Sequence, residues 1–171
     1  FAGWSGSANL PGAKDGTAAA LKSLFAAELP ASIGANPGGQ TLVLSVTAYG
    51  MADQGMRFLL AFEYRDPDGS TGRVSLRAVL DDLKNISTQW KLLILDAGPL
   101  ARDPRLGMLA NEFPRRLAEE VLATGDPNLW VLTAYGPRES SHSSTPWRQS
   151  LFSYFVTAGL RGQADLDGNR T

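Results

Sequence analysis

The sequence predicts an α/β fold built around a mainly parallel sheet, and three observations carry that expectation. Three apolar, β-rich runs, "TLVLSVTA", "KLLILDA" and "NLWVLTA", are nearly continuous, as strands buried on both faces require. Each ends in a turn of small residues. Each is followed downstream by residues with helical spacing, and strands alternating with helices imply an α/β sandwich.

Along the chain, residues 1–13 are rich in Gly, Ser and Pro and read as a leading loop. A helix is expected from about Asp15 to Leu29, with Ala18, Leu21, Phe25 and Leu29 on one face and Pro30 stopping it. "ASIGANPGGQ" reads as a loop before the strand "TLVLSVTAYG". "MRFLLAFEY" is a second extended run and "RDPDGSTG" a turn or hairpin tip. Ser75 is placed to cap a helix that carries Leu76, Val79, Leu80 and Leu83 at i, i+3, i+4 and i+7. After "KLLILDA", "NEFPRRLAEEVLATG" is a helix with Asn111 as candidate N-cap, Pro114 in its first turn and Gly125 at its end. "NLWVLTAYG" is another buried strand and "SLFSYFVTAGLRG" another helix. There is no internal repeat and no linker, so residues 1–171 are expected to form a single domain.

Composition removes several functions. Hydrophobic residues make up 43% and charged residues 19% of the chain, ordinary values for a folded domain. The formal net charge is −1 with scattered basic residues, which argues against a nucleic-acid surface or an anionic membrane as partner. No apolar run is long enough to cross a bilayer. Cysteine is absent, which excludes disulfides, thiolate metal sites and cysteine nucleophiles. A single histidine, His142, excludes any site that needs two imidazoles. No metal and no cofactor is expected. Beginning at Phe1 without Met, the chain is expected to be a fragment of something longer, and the cytoplasm is the default compartment.

In parallel sheets, function gathers at the carboxyl ends of the strands. Three such ends are visible: Ala48-Tyr49-Gly50, Asp96-Ala97-Gly98 and Thr133-Ala134-Tyr135, the last followed by the polar loop "GPRESSHSSTPW". A phosphoacceptor receiver domain would also place an aspartate and a threonine at strand ends. That chemistry needs a lysine after the threonine strand and an acidic pair for Mg²⁺, to compensate the phosphoryl charge. The chain has no lysine beyond Lys91, and its first strand ends in Tyr49-Gly50.

The pattern more closely resembles the caspase-like peptidases, including metacaspases and their bacterial relatives. In that family one strand ends in a small residue followed by His-Gly, and the next ends in Asp-Ala-Cys. Here the matching stretches are Ala48-Tyr49-Gly50 and Asp96-Ala97-Gly98. The family's histidine precedes its cysteine by roughly 50 residues, and positions 49 and 98 keep that interval. "NLWVLTAYGPRESS" resembles the third strand and its loop, and "SLFSYFVTAGLRGQADLDGNRT" resembles the family's following helix and its Asp/Gly turn. The likeness covers roughly residues 41–171. It implies a three-layer α/β/α sandwich, with a first strand that could lie upstream of Phe1.

What the resemblance implies for activity turns on two departures. The family's histidine lets its cysteine attack as a thiolate. Tyr49 carries a phenol with an ordinary pKa near ~10, a poor base at neutral pH. Gly98 has no side chain. The resemblance therefore implies a catalytically inactive domain with a binding or regulatory role, with no catalytic residues and with Tyr49 and Gly98 at the dyad positions. It also implies that Asp96 could still line a pocket for a Lys or Arg side chain, bordered by Tyr49, Gly50, Gly98, Arg138 and Ser141. Its partner would then be an extended peptide or protein segment with a basic residue.

Plainer readings stand beside these. A carboxylate that ends a buried strand often caps backbone N–H groups of the next loop. Tyr49 reads equally as a core aromatic with its hydroxyl satisfied. His142 lies among serines in a turn-rich loop and reads as solvated, although a hydrolase using Ser141 or Ser143 with His142 stays open. "DLDGN" lacks a full calcium-loop spacing and reads as a turn.

Overall fold

The computed structural model describes residues 17–34, 41–53, 56–60, 71–99, 112–136, 139, 142–146, 149–165 and 168. The leading loop, residues 35–40, most of the expected hairpin tip, Asn111, Arg138 and Ser141 lie outside the described residues.

Strands β1 (Thr41–Asp53), β2 (Met56–Leu60), β3 (Arg73–Ser75), β4 (Trp90–Pro99) and β5 (Leu129–Thr133) form one sheet in the order β3-β2-β1-β4-β5. The three apolar runs are its parallel neighbours β1, β4 and β5: Leu44 pairs with Leu93, and Leu93 with Val131. The sheet is nevertheless mixed. β1 does not stop at Gly50 but runs on to Asp53, and β2 returns antiparallel from there, with Asp53 opposite Met56. So short a connection permits only an antiparallel return. β3, a three-residue strand that sequence periodicity cannot show, adds antiparallel to β2. A second, two-stranded ribbon, β6 (Ser143–Ser144) with β7 (Gln149–Ser150), rises out of the polar loop.

The first helix departs from expectation at Pro30. Thr17 caps it, its Oγ1 accepting from the Ala20 N–H at 3.2 Å, and α1 (Ala18–Ser23) passes through a π-helical turn, Leu24–Glu28, into α2 (Leu29–Gly34). Pro30 therefore does not end the helix. A proline inside an α-helix lacks an N–H and its ring meets the carbonyl four residues back. Widening the preceding turn relieves that contact, and here Leu29 N–H bonds Leu24 C=O, five residues back.

The later helices follow the sequence closely. Ser75 Oγ accepts from Ala78 N–H at 3.3 Å and starts α3 (Leu76–Asn85), whose Leu76, Val79, Leu80 and Leu83 are buried. α4 (Phe113–Thr124) has Pro114 in its first turn and ends on Gly125, which takes φ 63°, a left-handed conformation suited to glycine. Glu112 occupies the N-cap position and makes no side-chain capping bond. α5 (Leu151–Ala158) is capped by Ser150 and continues into a π-helical turn, Gly159–Gln163.

One face of the sheet carries the core. Leu44 and Val46 of β1, Leu93, Leu95 and Ala97 of β4 and Leu129 of β5 pack with Phe25, Leu29, Leu80, Leu83, Phe113 and Leu117 from the helices. Alternation sends the intervening residues to the other face, where Asp96 pairs in register with Thr47, and Tyr49 with Gly98. Gly50 lies on the core face, and only glycine fits there: a Cβ would stand 2.4 Å from the Phe113 ring.

Candidate functional site

The parallel ladder between β1 and β4 ends at Gly50 opposite Pro99, and the candidate residues gather there. Tyr49 and Gly98, separated by 49 positions in sequence, are direct cross-strand neighbours. Among the described residues a Cβ on Gly98 would meet the Tyr49 ring at 3.9 Å, an ordinary contact. Tyr49 is 55% exposed, so it is not a core aromatic.

Asp96 sits two residues back along β4 on the same face, buried. Its Oδ2 accepts the hydroxyl protons of Ser150 and of Ser153, the latter at 3.0 Å. Ser150 Oγ also accepts from Ser153 N–H at 3.0 Å, which caps α5. The β6–β7 ribbon sets the place of Ser150, pairing it with Ser143, and Leu151 N–H donates to His142 C=O at 2.9 Å. A central strand, the ribbon and the N-terminus of α5 are therefore tied together at one carboxylate. Negative charge beside a helix N-terminus is also favoured by the aligned backbone dipoles.

Tyr135, just past β5, completes the surroundings. It is buried, and its hydroxyl has no hydrogen-bond partner among the described residues. Burial, with the Asp96 charge adding to it, pushes the phenol up to about 12. A void of about 10 Å³, enough for roughly one water, lies beside it against Leu95, Ala97, Phe113 and Thr133.

The structure thus brings together Tyr49, Gly98 and Asp96, with Gly50 behind them on the core face. Arg138 and Ser141 lie outside the described residues. His142 is exposed, and among the described residues its imidazole bonds no serine. The sequence reading missed Ser150 and Ser153 and named Tyr135 only as part of a strand end. Ser-x-x-Ser at the start of a helix was the available signal for the first two.

Among the described residues, the positions across the β1–β4 ladder end carry no nucleophile paired with a base. Gly98 offers no nucleophile, and Tyr49 puts an exposed phenol where a catalytic pair would need an imidazole. Ser150 donates to a carboxylate and accepts from a backbone amide, both of them structural bonds, and among the described residues no imidazole is hydrogen-bonded to it. Among the described residues no cluster of three His, Asp or Glu could hold a metal ion, and no helix is long and apolar enough to cross a membrane. Compared with known proteins, the chain matches no family model, no curated protein and no solved structure.

Proposed function

We propose that this chain is a catalytically inactive caspase-like domain that acts by binding rather than by turnover. The observation that carries the reading is Tyr49 standing directly across from Gly98 where the parallel ladder ends. This is the geometry in which a histidine would meet a cysteine, here with neither group present. On the same reading the sheet is the middle of a three-layer α/β/α sandwich, and α5, tied to Asp96, begins the second helical layer.

The ligand class that suits the site is an extended peptide with a basic residue directed at Asp96. Arginine suits best, because its planar fork offers a carboxylate two parallel N–H donors and could compete for it with the serine hydroxyls. The Ser150 and Ser153 hydroxyls would remain beside it or rotate away, so the contact is worth about one to two decades in affinity rather than more. Calorimetry with arginine and norleucine versions of one peptide tests this. The arginine peptide should bind more tightly, and Asp96→Asn should remove most of the difference. Equal affinities, or an Asp96→Asn variant that still discriminates, would reduce Asp96 to an anchor for α5.

The frame itself is tested by restoring the dyad. In a Tyr49→His/Gly98→Cys variant the introduced thiol should be labelled by a peptidyl electrophile faster than in Gly98→Cys alone, since a neighbouring imidazole raises the thiolate fraction. The parent should not be labelled. Equal rates for the two variants would reject the caspase-like geometry.

A further inference from the structure

The open edge of the sheet is the part of the molecule that the proposed function leaves unused. Among the described residues β5 is the outermost strand beside β4. Asn128 C=O and Ala134 N–H point at β4, bonding Lys91 and Leu95. The alternation of a parallel ladder therefore turns the N–H and C=O groups of Val131 and Thr133 outwards, where no described residue pairs with them. Edge strands usually carry a lysine, a proline or a bulge that discourages pairing. "LWVLT" has none of these.

The side chains along this edge are also uncovered. Trp130 is 63% exposed and Leu132 44%, both on the face opposite the core. Trp90, 45% exposed, lies diagonally beside Trp130 on β4. A hydrophobic edge whose backbone and side chains are both unpaired calls for an extended partner strand.

We propose that the partner is a second copy of this chain, joined through antiparallel β5 strands about a two-fold axis at Val131. The argument for a second copy is self-complementarity. Centring the axis on Val131 sets Trp130 opposite Leu132 of the second copy, and the reverse, so that each exposed side chain covers the other. In the same register the outward groups of Val131 bond those of Val131 of the second copy. Each Thr133 N–H meets the Leu129 C=O of the second copy. Leu129 N–H is already bonded to Asp126 C=O at 3.3 Å and is not needed. The sheet then continues through the interface, and the tryptophans form its apolar centre. None of this depends on the caspase-like reading.

Sedimentation velocity on the 171-residue chain over a range of concentrations should show a reversible monomer–dimer equilibrium. Val131→Pro removes an outward N–H that no bond within the sheet uses, and Trp130→Lys places a charge on an exposed position. Each should weaken association by about two decades, while circular dichroism shows the parent's fold. The register has its own test, because the chain contains no cysteine. A mixture of Trp130→Cys and Leu132→Cys chains should form a disulfide-linked heterodimer under mild oxidation more readily than either chain forms a homodimer. A parent that stays monomeric, variants that dimerise like the parent, or disulfides that form equally in the separate chains would each overturn the proposal. So would a monomer that pairs this edge only with another protein's strand.

Discussion

Replacing Lys91 by methionine should unfold this protein far more easily than its position before an apolar strand suggests. The ammonium is buried at the amino end of β4 and meets three acceptors: Asp126 Oδ2 at 2.7 Å, Leu83 C=O at 2.9 Å and Lys84 C=O at 3.3 Å. Its three protons are thus all used, two of them on the last carbonyls of α3. The side chains of Lys91 and Asp126 are only 4% and 6% exposed. Methionine keeps the length of the stem but leaves the buried Asp126 carboxylate without its ammonium and removes a donor from the Leu83 and Lys84 carbonyls, of which Leu83 C=O keeps the Ile86 N–H at 3.2 Å. Breaking a buried pair from one side costs about 3–5 kcal/mol, and we expect Lys91→Met to lie in that range. Asp126→Asn should cost less, about 2 kcal/mol, because Lys91 keeps two carbonyl acceptors and the Asn128 N–H, now donating to Asp126 Oδ1 at 2.9 Å, keeps an oxygen. Urea denaturation followed by tryptophan fluorescence measures both, and the double variant should cost clearly less than the sum. Burial raises the Asp126 carboxyl, but the hydrogen bonds from Lys91 and the Asn128 amide, with the charges of Lys91 and Lys84, outweigh it and hold the group below its ordinary range. A depressed carboxyl contributes stability above its unfolded pKa of ~3.9 and loses it as the pH falls through the folded value. The gap between the parent and Asp126→Asn should therefore be full near neutrality and shrink below about pH 4. A Lys91→Met cost under ~1 kcal/mol, strict additivity, or a gap that widens in acid would refute the buried-pair account.

Two further perturbations separate packing from site. Gly50→Ala should lower stability by about 1–3 kcal/mol, because its Cβ would collide with the buried Phe113 ring, while Gly98→Ala should leave the urea midpoint nearly unchanged, since its Cβ meets only ordinary contacts. In a spectrophotometric titration, Tyr135 should ionise near the value of about 12 to which burial and Asp96 push it. The folded phenol then holds its proton where an unfolded one has lost it, so stability should fall as the pH rises from about 10 through 12; Tyr135→Phe should abolish that part of the alkaline loss.

The parallel centre of the fold was legible because its three strands are short β-rich apolar runs that share no periodicity with the helices. What the sequence hid depends on contacts between distant residues. Pro30 looked like a stop because the rule assumes an α-helical turn before it, and a π-helical turn removes the clash on which the rule rests. The antiparallel flank escaped notice because β3 has three residues, too few for an alternation to register. Lys91 drew attention only as the last lysine of the chain. Its partner lies 35 residues away, beyond α4, and no local spacing marks a lysine as buried.

The candidate site shows the same division within one residue. Asp96 was legible as a group that matters, because a carboxylate at the end of a buried strand must find donors. The sequence suggested the next loop's amides or a guanidinium, and among the described residues Asp96 also takes the hydroxyls of Ser150 and Ser153, 54 and 57 residues downstream. An N-capping serine was readable at the start of α5, but capping uses only its acceptor lone pair. Its hydroxyl proton stays unassigned, and where the helix end packs on a sheet that proton needs an acceptor. Asp96 fills that need at the strand end nearest Tyr49 and Gly98. The anchor that positions α5 and the charge that would recruit a basic ligand are thus one carboxylate, and a ligand that competes with the serines for it would loosen α5 from β4 as it binds.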